Sequence, residues 1–232
     1  MNVLVIAAHP DDEVLGAGAT IARYTQQGNR VDILILGEGI TSRASSRDGR
    51  QSEGILQLQH DALEAAKTMG AQPPRIEGLP DNKFDTLPLL NIAQLVEAEI
   101  NRIKPEVIYT HHPSDLNIDH RLTFQAVLTA TRTMAETQVK RLYSFEIPSS
   151  TEWSFGQFEP PFRPTNFVEV SSTLEIKLRA MACYQGETRS YPHPRSLDAL
   201  KLNAQRWGTV AGFMAAEAFQ LIRAVHPEGL EE

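Results

Sequence analysis

Short apolar segments alternate with helix-like segments over most of this 232-residue chain. The apolar segments have the length of buried strands, and glycine or proline stands where several of the helix-like segments end. This alternation predicts an α/β fold, a single Rossmann-like domain in which a mostly parallel sheet carries helices on both faces. The chain is long enough for one full-sized core, so we expect one domain over residues 1–232.

Polar loops follow five of the predicted strands. Strands are expected at residues 3–8, 31–36, 75–79, 107–110, 142–147 and 167–170. Helices are expected at residues 13–27, 53–69, 89–103, 120–135, 174–182 and 197–207. The polar loops lie at residues 9–13, 41–50, 80–85, 111–120 and 148–164. Parallel strands place their carboxyl ends at one edge of a sheet, where ligands bind, so we expect these loops to form one functional site.

Charge and cysteine content narrow the classes of partner and location. The chain has 29 acidic and 22 basic residues, a net charge of −7 that argues against general binding of nucleic acid or an anionic membrane. The single Cys183 cannot form an internal disulfide, which favours a reducing compartment. The first residues lack the basic region of a signal peptide, and no segment has the length of a membrane span. We therefore expect a cytoplasmic protein without stable membrane insertion.

The first polar loop has the sequence His9-Pro10-Asp11-Asp12-Glu13, directly after an apolar strand. Burying a histidine and three carboxylates together is costly, because like charges repel and lose solvation. A divalent cation would offset that cost. The alternative is helix capping, since acids in the first turn of a helix are stabilised by its dipole and free amides. Capping explains one or two of the acids, but it explains neither His9 nor three acids in succession.

The loop at residues 111–120 carries the other three histidines of interest, His111, His112 and His120. A single buried histidine is more often structural than metal-binding, and His111 and His112 each have that alternative. Asp119 either caps the following helix or orients a neighbouring ligand. Three histidines together with several polar neighbours favour a functional cluster.

One candidate metal set combines the two loops. His9 and Asp12 are three residues apart across a strand-to-helix turn, so both side chains can face one point. With His120 they make two histidines and one carboxylate, which leaves a fourth position for water as catalytic zinc sites require. Asp11 is the natural general base for that water, because it neighbours a ligand without having to bind the metal. Without a metal, Asp11 would be a solvated aspartate at a helix start.

With these motifs the sequence resembles a known family, the PIG-L/LmbE-type zinc-dependent N-deacetylases. The resemblance rests on the motif at residues 9–13 and on Asp119-His120, and it covers most of the chain. It implies that His9, Asp12 and His120 bind zinc and that Asp11 is the base. It also implies that an acetyl group is removed from an N-acetylglucosamine unit or a related amide.

The chain departs from the family pattern at Asn117, where many members carry a histidine three residues before the last ligand. Asparagine can donate a hydrogen bond to an oxyanion, but it cannot give a proton to a leaving amine. We expect His193 to be the acid, because flanking prolines stiffen its loop. The alternatives are that His193 is a surface histidine and that His111 or His112 is the acid.

Substrate contacts are predicted at Arg43, Asp81 and Asn117. Arg43 lies nearest the second strand among three arginines that could hold a phosphate or carboxylate, although such Ser- and Arg-rich loops are more often solvated. Asp81 and Asn82 either bind sugar hydroxyls or form a turn after a proline. Aromatic residues of the loop 148–164 either face a sugar ring or pin that loop to the body.

Together these features predict a zinc-dependent hydrolase that removes an N-acetyl group from an amino sugar or sugar conjugate and releases acetate. The expected partner is a small N-acetylated sugar conjugate, and the family resemblance allows a homo-oligomer. The same ligand set accepts other divalent metals, including iron and cobalt. Two alternatives stay open. One is a metal-dependent hydrolase of another amide, ester or phosphoester, and the other is a metal-free sugar- or nucleotide-binding module.

Overall fold

The computed structural model describes residues 1–40, 49–134 and 139–226, with only the backbone described for residues 49–52. The strands are β1 (Asn2–Ala7), β2 (Arg30–Gly37), β3 (Arg75–Leu79), β4 (Val107–His111), β5 (Arg141–Phe145), β6 (Asn166–Glu169) and β7 (Ala216–Ala224). The helices are α1 (Asp12–Gln26), α2 (Gly49–Met69), α3 (Leu89–Ile103), α4 (Ile118–Ala130), α5 (Leu174–Cys183) and α6 (Leu197–Ala211). Among the described helices, none combines the length and the apolar character that a bilayer crossing needs.

The seven strands form one sheet in the order β3-β2-β1-β4-β5-β7-β6. The five strands from β3 to β5 are parallel to their neighbours, whereas β7 runs antiparallel to both β5 and β6. The predicted α/β fold with a mostly parallel sheet is therefore confirmed. The carboxyl ends of β1 to β5 lie at one edge of the sheet, as the strand directions require.

The sheet has a hydrophobic core on each face, which confirms helices on both sides. Along β1 the side chains alternate, so that Val3 and Val5 join one core while Leu4 and Ile6 join the other. Helices α1, α2, α5 and α6 cover the first face, and α3 and α4 cover the second. The site at the sheet edge is thus held between two packed layers.

Strand β7 is absent from the sequence prediction, which had the strands end at residue 170, and that prediction was wrong. The segment interrupts its apolar residues with Glu217, Gln220 and Arg223, a pattern that does not indicate an interior strand. Glu217 is nevertheless buried, because the Lys177 ammonium lies 2.6 Å from its Oε1. The partner that makes this strand possible is therefore distant in sequence, where a local pattern does not reach.

Candidate metal centre

The polar loops that follow the parallel strands meet at the sheet edge, as predicted, around a cavity of about 190 Å³. We name this the metal-side cavity; its lining residues are His9, Pro10, Asp11, Gly39, Ile40, Asp81, Asn82, Asn117, Glu187 and Arg195. Most of the second polar loop, including Arg43, lies outside the described residues. The loops after β1, β3 and β4 each contribute to the lining, so the predicted convergence is confirmed for them.

The backbone turns sharply where β1 passes into α1. Asp11 has a φ of 99°, in the left-handed region that residues with a Cβ rarely adopt. Its N–H donates to Glu13 Oε2 at 3.1 Å, and the Tyr184 hydroxyl donates to Glu13 Oε1 at 2.6 Å. Burial raises the pKa of Glu13 to about 7, against the hydrogen bond from Tyr184. Glu13 therefore holds the turn from behind while the Asp11 side chain faces the cavity.

Three side chains converge behind the metal-side cavity. Asp12 Oδ2 lies 3.4 Å from His9 Nδ1 and 3.3 Å from His120 Nε2. All three residues are buried, and the ligand atoms they offer lie within 4.8 Å of one another. The second carboxylate oxygen, Asp12 Oδ1, is buried without a hydrogen-bond partner among the described residues. This donor set fits a divalent cation, since two imidazoles and a carboxylate are ligands that zinc prefers.

A buried carboxylate stands behind each of the two imidazoles. His9 Nε2 lies 3.0 Å from Asp119 Oδ2, and His120 Nδ1 lies 3.1 Å from Asp115 Oδ1. The hydrogen bond with Asp119 favours the His9 tautomer whose free lone pair faces Asp12. The contact of His120 with Asp115 is instead an ion pair without hydrogen-bond geometry. Asp119 also accepts the N–H of Phe84, so its position is fixed from a second loop.

The surrounding carboxylates hold protons on both imidazoles in the metal-free protein. Burial alone would lower the pKa of His9, but its contacts with Asp119 and Asp12 outweigh it and raise the pKa to about 10. For His120 the same loss of solvation is outweighed by Asp12 and Asp115, and the pKa rises to about 9. The Asp12 carboxyl loses solvation too, yet the charges of His120 and His111 and the hydrogen bonds from His120 and His9 keep its pKa well below the ordinary value. A metal ion entering this site must displace imidazole protons.

A second group that could hold a metal shares one of these histidines. It consists of His9, Asp81 and Asp119, all buried. His9 Nε2 lies 3.3 Å from Asp81 Oδ1 and 3.0 Å from Asp119 Oδ2. Because Asp119 already contacts His9 through this nitrogen, the group containing Asp12 and His120 is the better match to a catalytic set of two imidazoles and one carboxylate with an open fourth position.

Asp11 is paired with a cation from the far end of the chain. Arg195 Nη1 donates to Asp11 Oδ2 at 2.8 Å, and both side chains line the metal-side cavity. Arg195 is itself held by Ser149, whose Oγ accepts from Nε at 2.9 Å, and by Glu187 at 3.4 Å. Burial raises the pKa of Asp11 well above its ordinary value, against the charge of Arg195. Asp11 makes no side-chain capping bond to α1, so the capping alternative does not explain this acid.

His111 and His112 have structural partners. The N–H of Ala8 donates to His111 Nε2 at 2.8 Å, and the His111 ring stacks on His120 at 4.0 Å between centroids. His112 Nε2 donates to the carbonyl of Pro160 at 2.9 Å and thereby tethers the loop that follows β5. Burial lowers the pKa of both imidazoles. These contacts favour the structural alternative for the two histidines.

Asn117 and Asp81 both line the metal-side cavity, where substrate contacts were predicted. Asn117 is the N-cap of α4: its Oδ1 accepts from the N–H of Asp119 at 2.8 Å, and its Nδ2 donates to Asn82 Oδ1 at 3.0 Å. One N–H of the Asn117 amide is thus engaged, and the other can serve a ligand. Asp81 is buried, and its Oδ1 lies 3.3 Å from Nε2 of the candidate ligand His9, a contact that a simple turn after the proline does not require.

His193 lies beside the site and outside the lining of the metal-side cavity, as far as the described residues define it. Its Nδ1 accepts from the N–H of Arg195 at 3.1 Å, and its ring packs edge-on against Trp153 at 5.8 Å. Burial and then the charges of Arg195 and Arg189 lower the pKa of His193. The acid role of His193 stays a prediction, and it is Arg195, two residues later, that reaches the cavity.

Two groups of the site, the half-buried Arg195 and the buried Asp115, were given no role from the sequence. Arg195 is 184 positions from Asp11, and no local pattern connects them. Asp115 accepts from the hydroxyls of Ser150 and Thr151 in addition to its contact with His120. Burial alone would raise the pKa of Asp115, but the charge of His120 and then these hydrogen bonds outweigh it and lower the pKa to about 2. Its position within the polar loop after β4 was the available signal for Asp115. For Arg195 the signal was weaker, a cation next to a stiff, proline-flanked loop.

Fold and site together define an α/β protein with a buried two-histidine, one-carboxylate centre at the carboxyl edge of its sheet. Residues 4–131 match the family model of GlcNAc-PI de-N-acetylases, called PIG-L. The matched part exceeds half of the chain and contains both histidine loops. The chain belongs to this family, and the resemblance inferred from the motif is confirmed.

Similar proteins agree on the fold and differ in the reaction named. A probable N-acetyl-α-D-glucosaminyl L-malate deacetylase 2 from Bacillus cereus is 26% identical over 192 residues, which cover 82% of this chain and 84% of that one. The N,N′-diacetylchitobiose deacetylase of Pyrococcus horikoshii has a TM-score of 0.74 at 17% identity, over 95% of this chain and 83% of that one. GalB of Pseudomonas putida, a 4-carboxy-2-hydroxymuconate hydratase, has a TM-score of 0.77 at 21% identity, over 99% of both chains. The fold therefore does not fix the reaction by itself.

Proposed function

We propose that this protein is a zinc-dependent N-deacetylase that removes an acetyl group from an N-acetylglucosamine-like sugar or sugar conjugate. The observation that carries the proposal is the convergence of His9, Asp12 and His120, with a carboxylate behind each imidazole. The Bacillus relative and the Pyrococcus structure are both named as deacetylases of N-acetylglucosamine compounds. We take residues 1–232 as one deacetylase domain, since the two similar structures extend over 95% and 99% of the chain.

His9, Asp12 and His120 would hold the metal through His9 Nδ1, an Asp12 carboxylate oxygen and His120 Nε2. Zinc bound there supplies a Lewis acid for the acetyl carbonyl and lowers the pKa of water. Asp119 and Asp115 keep the two imidazoles in the orientation that the site needs. Iron or cobalt would suit the same ligands, so the native metal is part of what has to be measured.

Asp11 would accept the proton of the attacking water. Its carboxylate lines the metal-side cavity one residue from the proposed ligand Asp12, and Arg195 holds Oδ2 from the other side. That contact leaves Oδ1 to face the water. The free N–H of the Asn117 amide would donate to the developing oxyanion, as a preorganised donor at the cavity wall.

The departing amine needs a proton, and the cavity lining offers few donors. His193 is our candidate from the sequence, although its Nδ1 already accepts from the Arg195 amide. Asp11 is the alternative, since it would hold the proton taken from water and could return it to the nitrogen of the leaving group. A His193→Gln variant separates the two, because only a true acid role makes turnover depend on this imidazole.

The rival reactions use the same kind of centre. A hydrolase of another amide, ester or phosphoester would need the same ligands and base, so geometry alone does not choose among them. A metal-free binding module has less support, because the turn after β1 has the sequence His9-Pro10-Asp11-Asp12, without the glycines that a phosphate-binding turn needs. Family membership and the named relatives favour the amide of an N-acetyl sugar.

The test combines metal content with product release. The purified wild type and the His120→Ala variant are compared by elemental analysis, with about one equivalent expected in the wild type and a marked loss in the variant. Acetate release is then followed with N,N′-diacetylchitobiose and N-acetylglucosamine, and phosphate release with phosphomonoesters. A wild type that stays metal-free in excess zinc would refute the hydrolase, and phosphate without acetate would favour the phosphoester alternative.

A further inference from the structure

A second, larger cavity lies beside the metal-side cavity. Its volume is about 620 Å³, and we name it the outer cavity. The residues that line it are Ser114, Glu146, Pro148, Thr151, Glu152, Ser154, Gly156, Pro161, Phe162, Pro192, Pro194, Ala199, Asn203, Arg206 and Trp207. Cavities of roughly 300–1,000 Å³ are typical for small-molecule ligands, a range that includes the outer cavity and excludes the metal-side cavity.

The two cavities share a wall. Pro194 lines the outer cavity, and the next residue, Arg195, lines the metal-side cavity. Pro148, from a second segment, also lines the outer cavity, and its neighbour Ser149 accepts the hydrogen bond from Arg195 Nε at 2.9 Å. The hydrogen bond from Arg195 to Ser149 therefore joins the two segments that line both cavities.

A buried, unpartnered hydroxyl belongs to the lining of the outer cavity. Ser114 is only 2% exposed, and its Oγ has no hydrogen-bond partner among the described residues. The next residue is Asp115, which contacts the candidate ligand His120. Buried polar atoms are normally satisfied, so an orphan hydroxyl in a cavity wall points to a ligand that would satisfy it.

The polar groups of the outer cavity suit hydroxyl groups better than anions. Glu146 accepts from Trp207 Nε1 at 2.7 Å and from Asn203 Nδ2 at 3.1 Å, both on one oxygen. Glu152 adds a second carboxylate, and Arg206 is the one cation among the described lining residues. Carboxylates keep further lone pairs for sugar hydroxyls, whereas a net negative lining repels a phosphate or carboxylate.

We infer that the outer cavity binds the second part of the substrate, a neutral, hydroxyl-rich ring such as another sugar unit. The inference rests on the proposed function, because it places the N-acetyl group of the first ring in the metal-side cavity. It narrows the substrate class to conjugates of N-acetylglucosamine with an uncharged sugar or cyclitol. An anionic conjugate such as N-acetylglucosaminyl malate should be the poorer substrate.

The test fills the outer cavity and leaves the metal-side cavity unchanged. Ala199, on α6, lines the outer cavity, so Ala199→Leu places a larger side chain in it. Gln205→Leu is the matched control, because this exposed residue of the same helix is outside the lining. We expect Ala199→Leu to raise KM for N,N′-diacetylchitobiose about tenfold and to leave turnover of N-acetylglucosamine unchanged. Ser114→Ala should weaken binding of the disaccharide by roughly fivefold, which corresponds to the loss of one hydrogen bond.

The outcomes separate the proposed deacetylation from the proposed role of the outer cavity as a subsite. Equal effects on both substrates, or no effect of Ala199→Leu, would overturn the outer cavity as a subsite, and so would a wild-type preference for the malate conjugate. Calorimetric titration of zinc-loaded Asp11→Asn protein with N,N′-diacetylchitobiose gives a readout without turnover. If no substrate releases acetate but Ala199→Leu still weakens disaccharide binding, the proposed reaction fails and the subsite stands. Absence of disaccharide binding would overturn the subsite.

Discussion

The two cavities draw on different parts of the chain. The metal-side cavity takes eight of its ten lining residues from the part that matches the family model, and only Glu187 and Arg195 come from beyond it. The outer cavity takes all of its lining from residues 146–207 except Ser114. The contrast teaches that the candidate chemistry sits in the family-matching part, while the surface for the rest of a substrate is built by the later part. Substitutions in the two parts should therefore change different quantities.

The largest effect is expected for Asp11→Asn, in the family-matching part. The amide cannot accept a proton, so kcat should fall by about 10²- to 10⁴-fold, the usual contribution of a general base. The metal content should remain that of the wild type, because Asp12 and not Asp11 belongs to the ligand set. Elemental analysis and acetate release check both statements, with the exposed Asp85→Asn as control. Near-normal turnover would remove Asp11 from the base role.

Asp115→Asn should weaken metal binding by about 10- to 100-fold, the usual effect of losing a carboxylate behind a histidine ligand. Asp115 contacts His120 Nδ1 and is held by Ser150 and Thr151, so the neutral amide would orient this imidazole less firmly. Zinc affinity is measured by competition with a chromogenic chelator. Unchanged affinity would mean that neither Asp115 nor the loop with Ser150 and Thr151, which holds it, influences the metal. The division between the two parts of the chain would then be sharper.

A smaller effect is expected for Arg195→Ala, in the later part. Losing the guanidinium frees the Asp11 carboxylate, and kcat should fall by about tenfold, close to the value of one charge-assisted hydrogen bond. Arg195→Lys should recover part of the loss, while metal content stays constant in both variants. Loss of zinc from Arg195→Ala would break the proposed division, because it would tie the metal to the later part.

The smallest effect concerns proton release in the family-matching part. With the pKa of His9 at about 10 and that of His120 at about 9, both imidazoles carry a proton near neutral pH in the metal-free protein. Each must lose it to bind zinc, so zinc addition near neutral pH should release up to two protons and affinity should fall as the pH is lowered. Titration in weak buffer with a pH indicator counts them, and zinc binding without proton release would contradict protonated imidazoles in the metal-free protein.

Local sequence patterns predicted those elements whose cause is local. Strand β3 and helix α3 begin and end at the expected residues, because prolines flank both segments and α3 has a helical apolar stripe. The candidate ligands His9, Asp12 and His120 were singled out for the same reason, since each stands at a strand end or a helix start, and their metal-binding role stays a prediction. The predicted ends of α4, residues 120 and 135, were wrong: the helix begins at Ile118, where Asn117 caps it, and ends at Ala130, with Thr131 as its C-cap.

Features that depend on distant partners were not predictable in this way. Nothing beside Arg195 in the sequence indicates that it reaches Asp11. The nearby His193 was selected instead, because an imidazole can act as a catalytic acid. Strand β7 was missed because the buried Glu217 needs Lys177 to neutralise it. The cytoplasmic location, the homo-oligomer and the contact from Arg43 stay predictions.

The buried pair of Lys177 and Glu217 makes the last strand a brace for the first helix. Glu217 accepts from the N–H groups of Ala19 and Thr20, and Lys177 donates to the carbonyl of Leu15, all within α1. Removing one charge of such a pair costs roughly 3–5 kcal/mol, because the other is left buried and unpaired. Helix α1 begins at Asp12, so a chain shortened before β7 would lose the support of the helix that presents a proposed metal ligand. Strand β7 contributes no ligand to the proposed set, but it supports the helix on which Asp12 lies. The family-matching part therefore depends on β7 for the position of a proposed metal ligand.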